Sequence, residues 1–435
     1  MSIKIFRFLA GTALVLSASP ALADTPATPS YAVAAPAPGG VDALISQYVA
    51  SRGYAPLFLA PAQAATAAVQ LSAILRAAPL DGFAAGPGLA DQIDAAVASA
   101  RGGNVAAVRL AEQVMASAWV RYVQKLESPT AGMMYGDPRR RPTISRPERI
   151  LALAAAAPSL ADHLRSASQV NPVYAALRDT AVADSSAATM TSKVAANLER
   201  LRSLPQRGRF VLVDAAAARL YMYENGRAVD SMKVIVGMKE LPTPMIASTI
   251  FYTTYNPYWH VPDHLNRKII APKVIKGGMS YLKSHGYEVV ADWSDAAQVI
   301  DPTTIDWKAV SDGSAIIKVR QLPGPGNSMG KLKFAFDNSE GIYLHDTPQK
   351  DLFAKTSRTI SNGCIRLEDA RRLGRWLAGA EPKAPSAVPE QYVVLPGGGV
   401  PVYVTYLTAQ SVGGKLTFID DVYNRDGTAQ VATIN

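Results

Sequence analysis

At Pro205 the hydrophobic period of this chain changes from that of helices to that of strands, and the change divides what the two halves can become. Before it, apolar residues recur three and four apart. Leu44, Ile45, Tyr48 and Val49 share one face behind a candidate cap at Asp42, and Gly53 can end that helix. Val108, Ala111, Met115, Trp119, Tyr122 and Leu126 repeat the spacing; Val194, Leu198 and Leu201 mark a last helix before the proline. No catalytic constellation lies in this half, and its aromatics at helical spacing read as core. After Pro205, short β-like runs cover 209–214 and 219–223. Asn225-Gly226 is a hairpin signal leading into a strand that ends Lys233-Val234-Ile235-Val236-Gly237. Further strands are expected at 250–255, 315–322, 341–345, 391–395 and 402–407, and one helix at 368–377, with Gly379 beyond its end. The fold class expected is α+β and multidomain: an Ala-rich helical domain over 41–204, then a mostly β domain over 207–435.

The first residues have the pattern of an export leader. Lys4 and Arg7 precede an apolar stretch over 8–16, and Ala21-Leu22-Ala23 is a small-residue cleavage site, giving an expected signal peptide over 1–23. An Ala/Pro/Gly-rich stretch over 24–40 reads as a flexible linker. The apolar run falls short of the about 20 residues that span a bilayer, so no membrane span is expected. Removing the leader lowers the formal charge from +9 to +7, a mild excess that suits a polyanionic partner. Nucleic acid is not expected: the densest basic run, Arg139-Arg140-Arg141 with Arg146 and Arg149, lies among prolines without interleaved aromatics and reads as a solvated loop.

The single cysteine, Cys364, sits in Thr359-Ile360-Ser361-Asn362-Gly363-Cys364-Ile365-Arg366-Leu367, nineteen positions after His345. A lone cysteine is often a small buried hydrophobe. In an exported chain it has no internal disulfide partner, which leaves a reactive thiol or an intermolecular bridge. Thiol catalysis needs a base such as imidazole and amides that hold an oxyanion, and Ser361-Asn362-Gly363 supplies small residues that let amides converge. The thiol and imidazole are therefore expected within hydrogen-bond reach of each other. Asp346 falls on the opposite face of a strand at 341–345, so a backbone carbonyl is expected to orient the imidazole.

His345 followed by Ser361-Asn362-Gly363-Cys364-Ile365-Arg366 resembles the signature of the L,D-transpeptidases with a YkuD-type catalytic domain. Val234-Ile235-Val236-Gly237, Pro242-Thr243-Pro244, Asn256-Pro257-Tyr258-Trp259 and Pro323-Gly324-Pro325-Gly326-Asn327 resemble the long Gram-negative murein subgroup. Val400-Pro401-Val402-Tyr403 and Asp420-Asp421-Val422-Tyr423 resemble its closing strands. The resemblance implies a periplasmic enzyme of cell-wall biogenesis and cell shape. It would attack the diaminopimelate carbonyl of a peptidoglycan tetrapeptide stem, expel D-alanine, and pass the acyl group from a thioester to a second stem in a 3-3 crosslink. Cys364 matches the nucleophile and His345 the base. Amides near Gly363 and Cys364 are candidate oxyanion donors, Ser361 and Asn362 belong to the same substrate-facing loop, and Arg366 either meets a stem carboxylate or makes a structural salt bridge.

The small peptidoglycan-binding module common in the subgroup is not recognisable here. Residues 258–313, between two expected strands, match the position of its capping insertion and read as a lid. His260 and His264 are four apart, but Pro262 between them argues against a helical metal site. No metal and no cofactor are expected. Alternatives stay open at this level: a cysteine L,D-carboxypeptidase or hydrolase acting on stems or wall-linked lipoprotein, and a noncatalytic wall-binding scaffold. The oligomeric state is not legible.

Overall fold

The computed structural model describes residues 40–61, 64–184, 190–294, 296–384 and 386–427. The expected leader, and all but Gly40 of the expected linker, lie outside the described residues. Among the described residues no helix is long and apolar enough to cross a membrane.

The helical half forms as its period requires. In the helix Val105–Leu126, the Asn104 side chain accepts from the amides of Ala106 and Ala107, satisfying donors that the first turn leaves open. Ala111, Met115, Trp119, Tyr122 and Leu126 are buried along one stripe, while Val108 stays at its margin. The last helix, Thr191–Leu201, buries Val194, Leu198 and Leu201. In the basic run, Arg139 and Arg141 are solvent-exposed, and the segment forms a short 3-10 turn, Pro138–Arg140. Arg139 chelates Asp137, whose carboxylate also accepts from Thr249 Oγ1 at 2.5 Å, so the basic turn is fastened to a strand of the β half.

The β half is a mixed sheet that closes on itself. Starting from Met245–Tyr255, the neighbours are Leu332–Phe336, Tyr343–His345, Ile365–Leu367, Arg227–Gly237, Arg219–Glu224, Arg209–Asp214 and Val400–Thr405, and the last pairs back with Met245–Tyr255. Closure leaves these strands without an open edge. Asn225 and Gly226, both with positive φ, make the expected hairpin turn. After its first residue the Arg209–Asp214 strand is buried throughout, within the apolar cluster that also takes in the helical half. The helix Thr191–Leu201 is tied to the chain that follows Val400–Thr405: Asn197 exchanges hydrogen bonds with Thr408, and Arg200 donates to the carbonyls of Tyr406 and Arg425 and to Asp426.

Two expectations differ from the structure. The run expected as a main-sheet strand at 315–322 forms Lys318–Gln321, which pairs with Trp259–Val261 and Tyr287–Val290 in a separate four-stranded sheet. Alternation forecasts a strand but not its partner. The excursion thus runs from Trp259 to Gln321, past Gly313, and has its own apolar cluster around Ile270, Val274, Leu282, Val289, Trp307 and Val319. Residues 420–423 form no strand. They belong to a hydrogen-bonded turn in which Asp421 accepts from the amides of Arg425 and Asp426. His260 lies on a strand and His264 in a short helix, so they do not share a helix face.

Candidate active site

The strands Tyr343–His345 and Ile365–Leu367 run parallel, with Leu344 beside Ile365 and His345 beside Arg366. Leu344, Ile365 and Leu367 are fully buried in the core, so alternation turns Tyr343, His345 and Arg366 to the opposite face. Cys364 enters this second strand two positions before Arg366. On the other flank, Lys333 is the antiparallel partner of His345. Imidazole, thiol and two cations are thereby gathered by register.

His345 is 4% exposed, and its Nδ1 is 2.6 Å from the Asp346 carbonyl. With the Nδ1 proton donated there, Nε2 keeps its lone pair. Burial first, and then the neighbouring Arg366 charge, lowers the imidazole pKa to about 4. The Asp346 carboxylate faces elsewhere, accepting from the Lys331 amide at 3.0 Å and Lys350 Nζ at 2.8 Å. A carbonyl holds the base, as alternation predicts.

Cys364 is partly exposed, and its Sγ is 3.6 Å from the Gly341 carbonyl. Burial raises the thiol pKa, while the Tyr343 amide and the charges of Arg366 and Lys333 pull the other way without cancelling it. Both shifts favour a neutral thiol beside a neutral imidazole over a preformed ion pair. Among the described residues no hydrogen bond joins sulfur to imidazole; the expected contact is replaced by the thiol's approach to Gly341. The helix that follows, Ala370–Ala378, is capped by Asp369 at the far end of the intervening strand. Three extended residues span roughly 10 Å, beyond the range over which a helix terminus favours a thiolate.

The cysteine turn is tightly braced. Ser361 Oγ donates to the Cys364 carbonyl at 2.6 Å and accepts from the Gly363 amide at 3.2 Å. Gly363 has φ +111°, and a Cβ there would come within 3.2 Å of Ile342 Cδ1. Ser361 is therefore an internal brace and Asn362 an exposed corner, while the Gly363 amide is already engaged. Of the two amides expected to serve an oxyanion, only that of Cys364 has no protein acceptor among the described residues. Arg366 donates to Gln349 Oε1 at 2.7 Å and has no carboxylate partner among the described residues, which removes the salt-bridge explanation. Lys333, Gln349 and the Tyr343 amide were not singled out in sequence, and Thr243 was quoted only within Pro242-Thr243-Pro244, with no role. Lys333 also carried a signal, as the outward residue between Leu332 and Phe334.

The closed β ring thus brings together one partly exposed thiol, one buried imidazole and the Cys364 amide, which has no protein acceptor among the described residues. Residues 208–404 match the YkuD family, described as the L,D-transpeptidase catalytic domain, and residues 43–180 match a scaffold domain. A Haemophilus influenzae protein provisionally named an L,D-transpeptidase is 28% identical over 404 residues, 90% of this chain and 80% of its own length. Among solved structures, an L,D-transpeptidase from Mycobacterium smegmatis is 12% identical over 46% of this chain and 60% of that one, with a TM-score of 0.23. L,D-transpeptidase 3 from Mycobacterium tuberculosis is 13% identical over 47% and 66%, also with a TM-score of 0.23. In neither case are two thirds of the solved chain covered. This chain carries a YkuD-type L,D-transpeptidase catalytic domain behind a scaffold domain.

Proposed function

We propose that the chain is an exported, periplasmic peptidoglycan L,D-transpeptidase that forms 3-3 crosslinks, with Cys364 as nucleophile and His345 as general base. The observation that carries this reading is the buried imidazole with its Nδ1 proton anchored on a carbonyl, on the strand beside the partly exposed thiol. As Sγ attacks the diaminopimelate carbonyl of a tetrapeptide stem, the thiol proton moves to Nε2 and the Cys364 amide receives the developing oxyanion. Collapse returns that proton to the leaving D-alanine amine and leaves a thioester. The side-chain amine of a second stem then attacks, giving up its proton to His345 and expelling sulfur. Arg366, lacking a carboxylate of its own, is suited to hold a stem carboxylate.

In this reading 1–23 is a signal peptide, 24–40 a linker, 41–204 the helical scaffold and 207–435 the catalytic domain. The excursion from Trp259 to Gln321 acts as a lid that limits water and favours an amine acceptor. Its separate core and its return path support this. Past the excursion the chain passes Gly330, whose Cβ position lies 2.5 Å from the Asp346 carboxylate beside His345.

The test is incubation of residues 24–435 with disaccharide tetrapeptide and mass spectrometry of the products. The expected product is a dimer lighter than two monomers by one D-alanine, with a thioester adduct at Cys364; Cys364→Ala removes both and keeps the melting temperature. Tripeptide monomer without dimer assigns a hydrolase instead. Full activity of Cys364→Ala ends the thiol mechanism.

A further inference from the structure

Thr243 lies 120 residues before Gly363 in sequence and is 0% exposed. Its hydroxyl donates to the Gly363 carbonyl at 2.7 Å and accepts from the Gly237 amide at 2.8 Å, so both its hydrogen-bonding roles are used. The Gly363 carbonyl and the Cys364 amide belong to one peptide plane. In a trans peptide, C=O and N–H point in opposite directions. Fixing the carbonyl on Thr243 therefore fixes the direction of the Cys364 amide, which has no protein acceptor among the described residues. Glycine alone permits the swing of that plane, given φ +111° at Gly363.

Thr243 is itself held from two sides. Gly237 comes so close that a Cβ on it would lie 2.6 Å from the Thr243 amide nitrogen, so this approach also requires glycine. From the C-terminal turn, Tyr423 donates to the Gly237 carbonyl and Arg425 Nη2 to the Thr243 carbonyl at 3.1 Å. Arg200 of the helix Thr191–Leu201 in turn donates to the Arg425 carbonyl at 2.7 Å. A continuous chain of hydrogen bonds thus runs from a helix of the first half to the peptide next to the cysteine.

We propose that Thr243, braced by Tyr423 and Arg425, is a positioning residue that aims the Cys364 amide as the oxyanion donor. The proposal rests on Cys364 being the nucleophile but not on the identity of the acyl donor. Its signature is a split between two reactions of the same sulfur. Iodoacetamide alkylates by displacement of iodide and develops no oxyanion. p-Nitrophenyl acetate forms an S–acetyl bond through a tetrahedral oxyanion, breaks its ester C–O bond and releases nitrophenolate, with the thiol proton passing through His345 to solvent.

In Thr243→Val, acetylation should fall by about tenfold or more, short of the 10²- to 10³-fold loss for an oxyanion donor deleted outright, while alkylation stays within about twofold. Thr243→Ser, which keeps the hydroxyl, should restore acetylation. Arg425→Met and Tyr423→Phe should slow acetylation selectively but less, and they carry the test if the valine variant does not fold. Parallel losses of both reactions, or unchanged acetylation in a folded variant, overturn the proposal. Both rates remain measurable if the wild-type protein makes no crosslink, so that failure is distinguishable from this one.

Discussion

Two buried polar clusters in this molecule are built oppositely. In the helical half, Asp81 accepts from Tyr122 Oη at 2.7 Å, Tyr174 Oη at 2.6 Å, Arg178 Nε at 2.8 Å and Arg178 Nη2 at 2.9 Å, all out of reach of water. The carboxylate and guanidinium satisfy each other, and the phenols, pushed far up by burial, complete the set. In the β half, His345 is equally enclosed but has one nitrogen engaged; among the described residues Arg366 meets a neutral amide and no carboxylate, and Cys364 has a long carbonyl contact and the Tyr343 amide. Polar groups that exhaust one another's valences hold a fold. Those left with valences to spare are available to a substrate.

The contrast is tested most strongly at the imidazole. His345→Ala should slow acylation of Cys364 by about 10²- to 10⁴-fold, the usual value of general-base assistance. Because the imidazole pKa is lowered to about 4, the wild-type rate should fall with acid only near that value and not near the 6.5 of a free histidine. Burial keeps the thiol above its ordinary range, so iodoacetamide alkylation should go on rising through that range instead of levelling off in acid. A plateau at low pH would indicate a preformed thiolate–imidazolium pair. Stability shares the sign of the histidine effect. The unfolded imidazole takes up a proton below about 6.5 and the folded one only below about 4, so stability is full above the first value and drops between them, by about 3 kcal/mol at most. This slope should vanish in His345→Ala.

The closed cluster should respond in the other currency. Asp81→Asn leaves the Arg178 cation buried without a counterion, which costs about 3–5 kcal/mol. The expected result is an earlier urea midpoint with alkylation of Cys364 unchanged in the folded protein. A slower alkylation without loss of stability would mean that the two clusters are coupled, and the comparison would fail.

Much of this contrast was legible before folding, and the limits are physical. His345 and Cys364 stand out because a lone thiol, a base and small neighbours form a local pattern, and strand alternation is enough to turn the Asp346 carboxylate away. Stripes such as Met115, Trp119 and Tyr122 are likewise encoded within one helix. Asp81 and Arg178 are 97 residues apart, and no local period marks them as partners. Nor does Ser361 reveal in sequence that its hydroxyl consumes the Gly363 amide, since a substrate-facing serine would look the same. Lys318–Gln321 alternates as a strand should, yet its neighbours were fixed only when the excursion folded on its own core.

The smallest expected effect sharpens the comparison where it is most exposed to another explanation. Arg366 and Arg178 are both guanidiniums, but among the described residues only Arg178 of the two has a carboxylate partner. If Arg366 awaits the carboxylate of a stem, Arg366→Met should raise KM for a tetrapeptide donor by roughly 10- to 100-fold, in line with about 1.5–3 kcal/mol for a charged hydrogen bond. The change in kcat should be small, because a contact made equally in ground and transition states is uniform binding. A donor with an amidated terminus already lacks the matching charge and should bind alike to both proteins. The competing reading is that Arg366 only steadies the Gln349 loop through its 2.7 Å hydrogen bond. Gln349→Ala breaks that bond and keeps the cation, so a loop role predicts matching losses in both variants and for both donors. Charge recognition instead confines the loss to Arg366→Met with the free carboxylate.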